Sequence, residues 1–305
     1  MTASSAVATT ALRSRAGTEV LIGDDHPFAV IGERINPTGR SALAEELKQG
    51  RFDTVRADAL EQVAAGARIL DLNAGIPGFD EAALLSEMVR VVNEVVDVPL
   101  CIDSSTHEAL EAAVPQAGGR VLINSVTAER RALERVLPLV AEYGAAVIGM
   151  ANDEDGISMD PDVRFAAAAR IVDAAEAHGI TRERVIIDPL AMPIGAATDA
   201  VTSMLRTIHR IRGELGVNVS CGASNISFGM PGRHQIDAAF LTLMIGAGMN
   251  TAITNPMHPP VHRAVLAADL LLGRDAYGAA WIAHHRAGLA GSTRVGGVDQ
   301  VAAGG

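Results

Sequence analysis

Carboxylates and side-chain amides in this chain gather at or just beyond the ends of short apolar runs. Glu33, Arg34 and Asn36 follow the run at 29–35, Asp71 and Asn73 end 68–74, and Asp103, Ser104 and Ser105 end 99–104. Asn124 with Ser125, then Asn152, then Asp188 mark the ends of 120–126, 145–151 and 184–190. Ser224, Asn225 and Ser227 end 217–227, and Thr254 with Asn255 end 251–256. The set lacks a His and Cys cluster that would ligate a metal, a Ser-His-Asp constellation, and a lysine placed for a Schiff base, Lys48 being the only lysine. A carboxylate answers two parallel N–H donors with two oxygens, as it answers a guanidinium fork. A side-chain amide carries both a donor and an acceptor. Asp103 and Asp188, read together with Asn124 and Asn225, therefore suit a flat, nitrogen-rich heterocycle such as a pterin. Any one of these aspartates can equally be a cap on the following helix; the convergence of several points to a ligand.

The elements that must hold these residues are eight strand-like runs separated by helical patterns. AVIGERI, RILDLNA, PLCIDS, RVLINSV, AAVIGMA, RVIIDPL, VNVSCGASNIS and TAITNP are continuous rather than alternating, as strands covered on both faces should be. Between them, Leu84, Leu85, Met88, Val91, Val92 and Val95 share one helical face, and Val163, Ala167, Ile171, Ala174 and His178 share another. Asp160 and Pro161 start the second helix and Gly179 stops it. Eight strands each followed by a helix give an α/β chain of the (β/α)8 TIM barrel class, with polar residues ringing the mouth. A doubly wound open sheet is the alternative, but no G-x-G-x-x-G turn or P-loop follows any strand. We expect a loose arm at 1–24, the pterin-binding barrel over 25–286, and a flexible Gly- and Ala-rich tail at 287–305.

The chain has 305 residues, about half of them apolar, enough to bury a full core. No uninterrupted apolar run reaches the roughly 20 residues of a membrane-spanning helix, so no membrane partner is expected. The net charge is −11, which argues against nucleic acid. Cys101 and Cys221 sit in apolar runs as buried thiols, and a reducing cytoplasm fits them. His258 and His262 stand four apart in HPPVH, but two prolines lie between them and no third ligand is evident, so no metal is expected.

At the strand ends the sequence resembles a known family. The strings IGERINPTG, DLNAG, CIDSS, LINSVTAE, IDPL and SNISFGMPGR, in this order and spacing, are similar to the pterin-binding family of methyltetrahydrofolate methyltransferases. The likeness runs from about residue 29 to 272, and its nearest branch is the methyltetrahydrofolate:corrinoid protein methyltransferases; the folate domain of cobalamin-dependent methionine synthase is also similar. The resemblance implies a (β/α)8 barrel whose Asp103, Asn124 and Asp188 hold the pterin. It further implies that Asn225 lies near pterin N5 and serves as the catalytic amide. Glu33, Asn73 and Arg233 join the substrate-binding set, although Arg233 also reads as a surface charge at a helix start. Tetrahydrofolate or 5-methyltetrahydrofolate is the implied substrate, with the corrinoid (cobalamin) carried by a separate corrinoid protein and the chain working as a homodimer. That partner would meet either the acidic surface or a local basic patch at Arg34, Arg40 and Arg233. Two other readings stand beside it: a dihydropteroate synthase-like enzyme, for which a lysine at the site is missing, and a non-catalytic folate-binding or scaffold barrel.

Overall fold

The computed structural model of the chain describes residues 7–295, with side-chain surroundings through residue 287. Two short strands open it, β1 (Thr10–Arg13) and β2 (Glu19–Ile22). Eight more follow: β3 (Ala29–Ile35), β4 (Ile69–Asn73), β5 (Leu100–Asp103), β6 (Leu122–Thr127), β7 (Ala146–Met150), β8 (Val185–Asp188), β9 (Asn218–Val219) and β10 (Thr251–Thr254). These eight form one parallel sheet in the order β10-β3-β4-β5-β6-β7-β8-β9. The ring closes through a parallel bridge between Gly222 and Ile253, where Ile253 N donates to Cys221 O at 2.9 Å. The result is a (β/α)8 barrel.

Helices return the chain from each strand to the next. They are α1 (Ser41–Lys48) and α2 (Asp53–Ala64) after β3, α3 (Glu81–Val95), α4 (His107–Ala117), α5 (Arg130–Glu142), α6 (Pro161–Ala177), α7 (Ala200–Arg210), α8 (Arg233–Gly246), α9 (Pro259–Leu271) and a final α10 (Ala279–Val295). The start of α6 is as its sequence dictates: Asp160 accepts from Asp162 N at 2.8 Å, Pro161 is the first residue, and Gly179 follows the end with φ +73°. Its inward face differs. Arg164, Ala168, Ile171, Val172 and Ala175 are buried, whereas Val163 is 43 % exposed and His178 is exposed. A buried arginine reads as a polar position and so displaces the apparent stripe by one residue.

Strand alternation decides what enters the barrel. Ile69, Cys101, Leu122, Ala146, Ile148 and Ile186 pack in its interior, while their neighbours Leu70, Leu72, Leu100, Ile102, Ile123, Val185 and Ile187 belong to the core under the helices. Because the side-chain period of a strand is two, the residue two positions after an interior one also points inward. Asp71 and then Asn73 follow Ile69, Asp103 follows Cys101, Asn124 follows Leu122, and Asp188 follows Ile186. Glu33 follows Ile31 in the same way. The polar ring is thus the top layer of the barrel filling.

Three expectations from the sequence change. Residues 10–22 of the loose arm are a β-hairpin whose Leu12, Val20 and Ile22 are 0–3 % exposed and join the interior cluster, closing the end opposite the mouth. Asn218 Nδ2 clamps it by donating to Ala8 O, Thr10 Oγ1 and Ile22 O at 2.9–3.1 Å. Four-residue strands are too short for alternation to stand out from an Ala- and Thr-rich composition. The run at 217–227 is strand only over Asn218–Val219; it then turns through a 3-10 segment at Ala223–Asn225. Gly222 permits this, since a Cβ there would lie 2.9 Å from Asn225 Nδ2. At the other end, the expected tail begins inside α10, and residues 296–305 lie outside the described residues.

Candidate functional site

Three groups of polar side chains stand at the mouth. On the β4–β6 arc, Asn73 Nδ2 donates to Asp103 Oδ2 at 2.9 Å while Asn73 Oδ1 accepts from Gly75 N at 2.9 Å. Asn124 pairs in register with Asp103, and its Nδ2 donates to Asp71 Oδ1 at 3.1 Å. These bonds leave Asp103 Oδ1 and Asn124 Oδ1 for a ligand. Burial, followed by the charge of Asp103, pushes the Asp71 carboxyl well above the usual range, and burial pushes Asp103 up to about 6 against the bond from Asn73. Asp71 was visible in the strand ends, but its role in orienting Asn124 was not; its sign in the sequence is that it precedes Asn73 by two and so shares its face.

On the β9–β3 arc, Ser224 Oγ donates to Glu33 Oε1 at 2.7 Å, and burial raises the Glu33 carboxyl, with Asp237 adding to the effect. Asn225, next in the chain, is exposed at the mouth with its amide over Gly222. Arg233, the first residue of α8, turns back on this loop: Nη2 donates to Ser224 O at 2.7 Å and Nε to Ser227 Oγ at 3.1 Å. It braces the segment that carries Asn225. Within the expected basic patch Arg40 is paired with Asp58 at 2.5 Å and Arg233 is occupied by its own loop, whereas Arg34 Nε is buried without a hydrogen-bond partner.

Asp188 stands between the two arcs, on β8. Leu190 N donates to its Oδ1 at 2.7 Å, and burial pushes the carboxyl up to about 6 although N–H groups of Leu190 and Gly222 and the charge of Arg164 oppose it. No hydrogen bond joins Asp188 to Asp103, Asn124 or Asn225 among the described residues, so a ligand would have to bridge them. A cavity of about 460 Å³ opens beside the first group, lined by Asp103, Asn124, Thr127, His107, Arg135 and Met150. Its size is that of a small-molecule site, typically about 300–1,000 Å³. His258 stacks on His234 with ring centroids 3.5 Å apart and lies 3.0 Å from Asn255 Nδ2. No group of three or more His, Cys, Asp or Glu arranged for a metal occurs among the described residues.

The chemistry of this floor is distinctive. Asp71, Asp103, Asp188 and Glu33 are acids with raised carboxyls, and none of them has an ion-pair partner among the described residues. Such a surface is completed by a neutral ligand that brings several N–H donors.

Comparison with known proteins agrees with that arrangement. The family described as "Pterin binding enzyme" matches residues 32–255. The chain belongs to the pterin-binding enzyme family. A methylcorrinoid:tetrahydrofolate methyltransferase of Eubacterium limosum is 33 % identical over 253 residues, covering 81 % of this chain and 92 % of that protein. Methionine synthase of Mycobacterium tuberculosis is 29 % identical over 277 residues, 84 % of this chain but only 23 % of the much longer synthase. Among solved structures, a dihydropteroate synthase of Xanthomonas albilineans shares the fold, with TM-score 0.64 and 22 % identity over 85 % of this chain and 98 % of that one. The protein is an enzyme, and the relative matched over nearly its whole length is a methyltransferase.

Proposed function

We propose that this enzyme moves a methyl group between N5 of tetrahydrofolate and the cobalt of a corrinoid held by a separate protein. The observation that carries the reading is the ring of inward acids and amides, Asp103, Asn124 and Asp188, with free acceptor atoms and no ion pair among the described residues, beside the exposed amide of Asn225. The first three would accept from the amino and ring N–H groups of the pterin, and Asn73 would hold Asp103 for that purpose. The similarity to the Eubacterium limosum enzyme supports the choice of methyl donor and acceptor.

In the direction toward cobalt, cobalt(I) attacks the methyl carbon, the carbon–N5 bond breaks, and N5 keeps the electron pair and gains one proton. A tertiary amine is a poor leaving group, so a hydrogen bond that strengthens as N5 frees its pair lowers the barrel's barrier to transfer. Asn225 supplies it: the donor end of the amide faces N5 as the bond breaks, and Glu33 with Ser224 and Arg233 fixes the backbone on which it swings. In the opposite direction N5 attacks the cobalt-bound methyl carbon, the carbon–cobalt bond leaves its electron pair on cobalt, and the N5 proton passes to water while the acceptor end of the Asn225 amide faces the N–H. The corrinoid is a substrate delivered by its own protein, over the open mouth.

A dihydropteroate synthase-like reaction is disfavoured by the position of Lys48, which sits in the last turn of α1, away from the mouth, and bonds Glu45 at 2.8 Å. Exposed Leu243 on α8 and Leu271 on α9 supply apolar surface for a second copy, which supports the homodimer, and two buried free thiols suit the cytoplasm. The test is to incubate the chain with 5-methyltetrahydrofolate and cob(I)alamin and follow methylcobalamin. Formation of methylcobalamin above the uncatalysed rate is expected; tight folate binding with no methyl movement would leave a folate-binding barrel instead.

A further inference from the structure

Arg164 is the only base among the described residues that is buried, at 0 % exposure, and it has no carboxylate within ion-pair distance. A guanidinium withdrawn from water without an anion is costly unless its N–H groups are satisfied. Here they are satisfied by the backbone of two loops. Nε donates to Ser158 O at 2.5 Å ahead of α6, and Nη1 donates to Pro189 O at 2.8 Å and to Leu190 O at 3.1 Å, immediately after Asp188. Nη2 lies 3.4 Å from Met159 Sδ.

The segment held in this way is strained. Leu190 has φ +68°, a left-handed conformation that a bulky residue rarely adopts. Leu190 N, at the start of that turn, donates to Asp188 Oδ1 at 2.7 Å. The guanidinium therefore grips the carbonyls of Pro189 and Leu190, the second of which also donates its N–H to the carboxylate. It also faces Asp188 electrostatically from α6, while Asp199, ahead of α7, faces the guanidinium and the protonated Cys221 thiol faces Asp188 from the segment after β9.

We propose that Arg164 is a positioning residue for Asp188, fixing the turn behind its carboxylate and supplying the buried positive charge that matches it to a ligand's N–H groups. The ligand half of this statement rests on the pterin reading above; the carboxylate half does not. Burial already pushes Asp188 up to about 6, and the nearby guanidinium works against that. Without the charge, the carboxyl would be about half protonated at neutral pH, and the protonated half could no longer accept from two donors.

The test uses the full chain with Arg164→Gln, which keeps N–H donors for the carbonyls but no charge, and Arg164→Lys, which keeps the charge. Carbon-13 NMR of carboxyl-labelled aspartate, with the Asp188 signal assigned by its loss in Asp188→Asn, reads the carboxyl directly without ligand. The midpoint is expected to rise by about one pH unit in Arg164→Gln, within the roughly 1–3 units that a nearby opposite charge exerts, and to stay near the wild-type value in Arg164→Lys. Calorimetry with 5-methyltetrahydrofolate should show the same displacement, with affinity in the Gln variant about twofold lower at pH 7 and approaching about tenfold lower near pH 5. An unmoved midpoint, with binding weakened equally at every pH in both variants, would overturn the proposal. Failure of the wild type to bind folate would refute the pterin reading and leave the NMR titration to decide the role of Arg164. If Arg164→Gln does not fold, the double variant with Leu190→Gly removes the strain that the guanidinium offsets, and an unmoved midpoint there overturns the proposal equally.

Discussion

Replacing Asp188 by Asn removes one charge and exchanges one acceptor for a donor while leaving the shape of the side chain. In the native site Oδ1 accepts from Leu190 N at 2.7 Å and the Gly222 N–H also acts on the carboxylate, whose remaining lone pairs would meet the ligand. The amide will keep its oxygen on Leu190 N, so its NH2 group is turned toward the pterin, donor against donor. A hydrogen bond to a charged group contributes about 1.5–3 kcal/mol, which corresponds to a loss of about 10- to 150-fold in affinity. The same change alters stability with a definite sign. The folded carboxyl titrates at about 6 instead of 3.8, so its contribution is fully present below the lower value and is lost as pH rises through the higher one. At about 1.4 kcal/mol per pH unit, the ionised form costs the fold at most about 3 kcal/mol at neutral pH. The amide does not titrate. The melting temperature of Asp188→Asn relative to wild type should therefore rise between about pH 4 and about pH 8. Calorimetry with 5-methyltetrahydrofolate and thermal melts across that range check both parts. Unchanged affinity would refute the assignment of Asp188 to the ligand, and a melting difference that is flat with pH would refute the account of its buried charge.

Deleting residues 1–23 removes Leu12, Val20 and Ile22 from the closed end of the barrel, at about 1.5–3 kcal/mol for each buried side chain, so the melting temperature should fall sharply while folate affinity per folded molecule is kept; an unchanged melt would mean that the hairpin seals nothing. With a net charge of −11, docking to a corrinoid protein with a basic face should slow as ionic strength rises, whereas transfer to free cobalamin should change much less; a paired salt titration with equal slopes would contradict charge-guided docking. Light scattering should return the mass of a dimer, and truncating exposed Leu243 and Leu271 to Ala should weaken it; a native monomer at every concentration would refute the homodimer.

The barrel was legible because β3 to β6 and β8 each carry an apolar residue that faces the interior, and the period of two then forces the acid or amide two positions on into the mouth. This is why Asp103, Asn124 and Asp188 could be named from the sequence and are found in one layer. What lay hidden depends on pairing across long separations. Asp71 orients Asn124 from 53 positions away, and Ser224 reaches Glu33 across 191. Neither bond leaves a local pattern. Arg164 was hidden for another reason: its partners are carbonyls, which every residue carries, so a buried arginine on a helix is indistinguishable in sequence from a solvated one. The hairpin escaped notice because two strands of four residues carry too little periodicity to outweigh a polar composition.

The most direct test of the account is the effect of Asn225→Ala on methyl transfer compared with its effect on folate binding. The amide is exposed at the mouth, makes no bond that the fold requires, and is assigned to the moment when N5 gains or loses its proton. Single-turnover transfer between 5-methyltetrahydrofolate and cob(I)alamin should slow by about a hundredfold, while the dissociation constant for 5-methyltetrahydrofolate should rise by less than about tenfold. Equal losses in rate and affinity would make Asn225 a binding residue only and contradict the central claim.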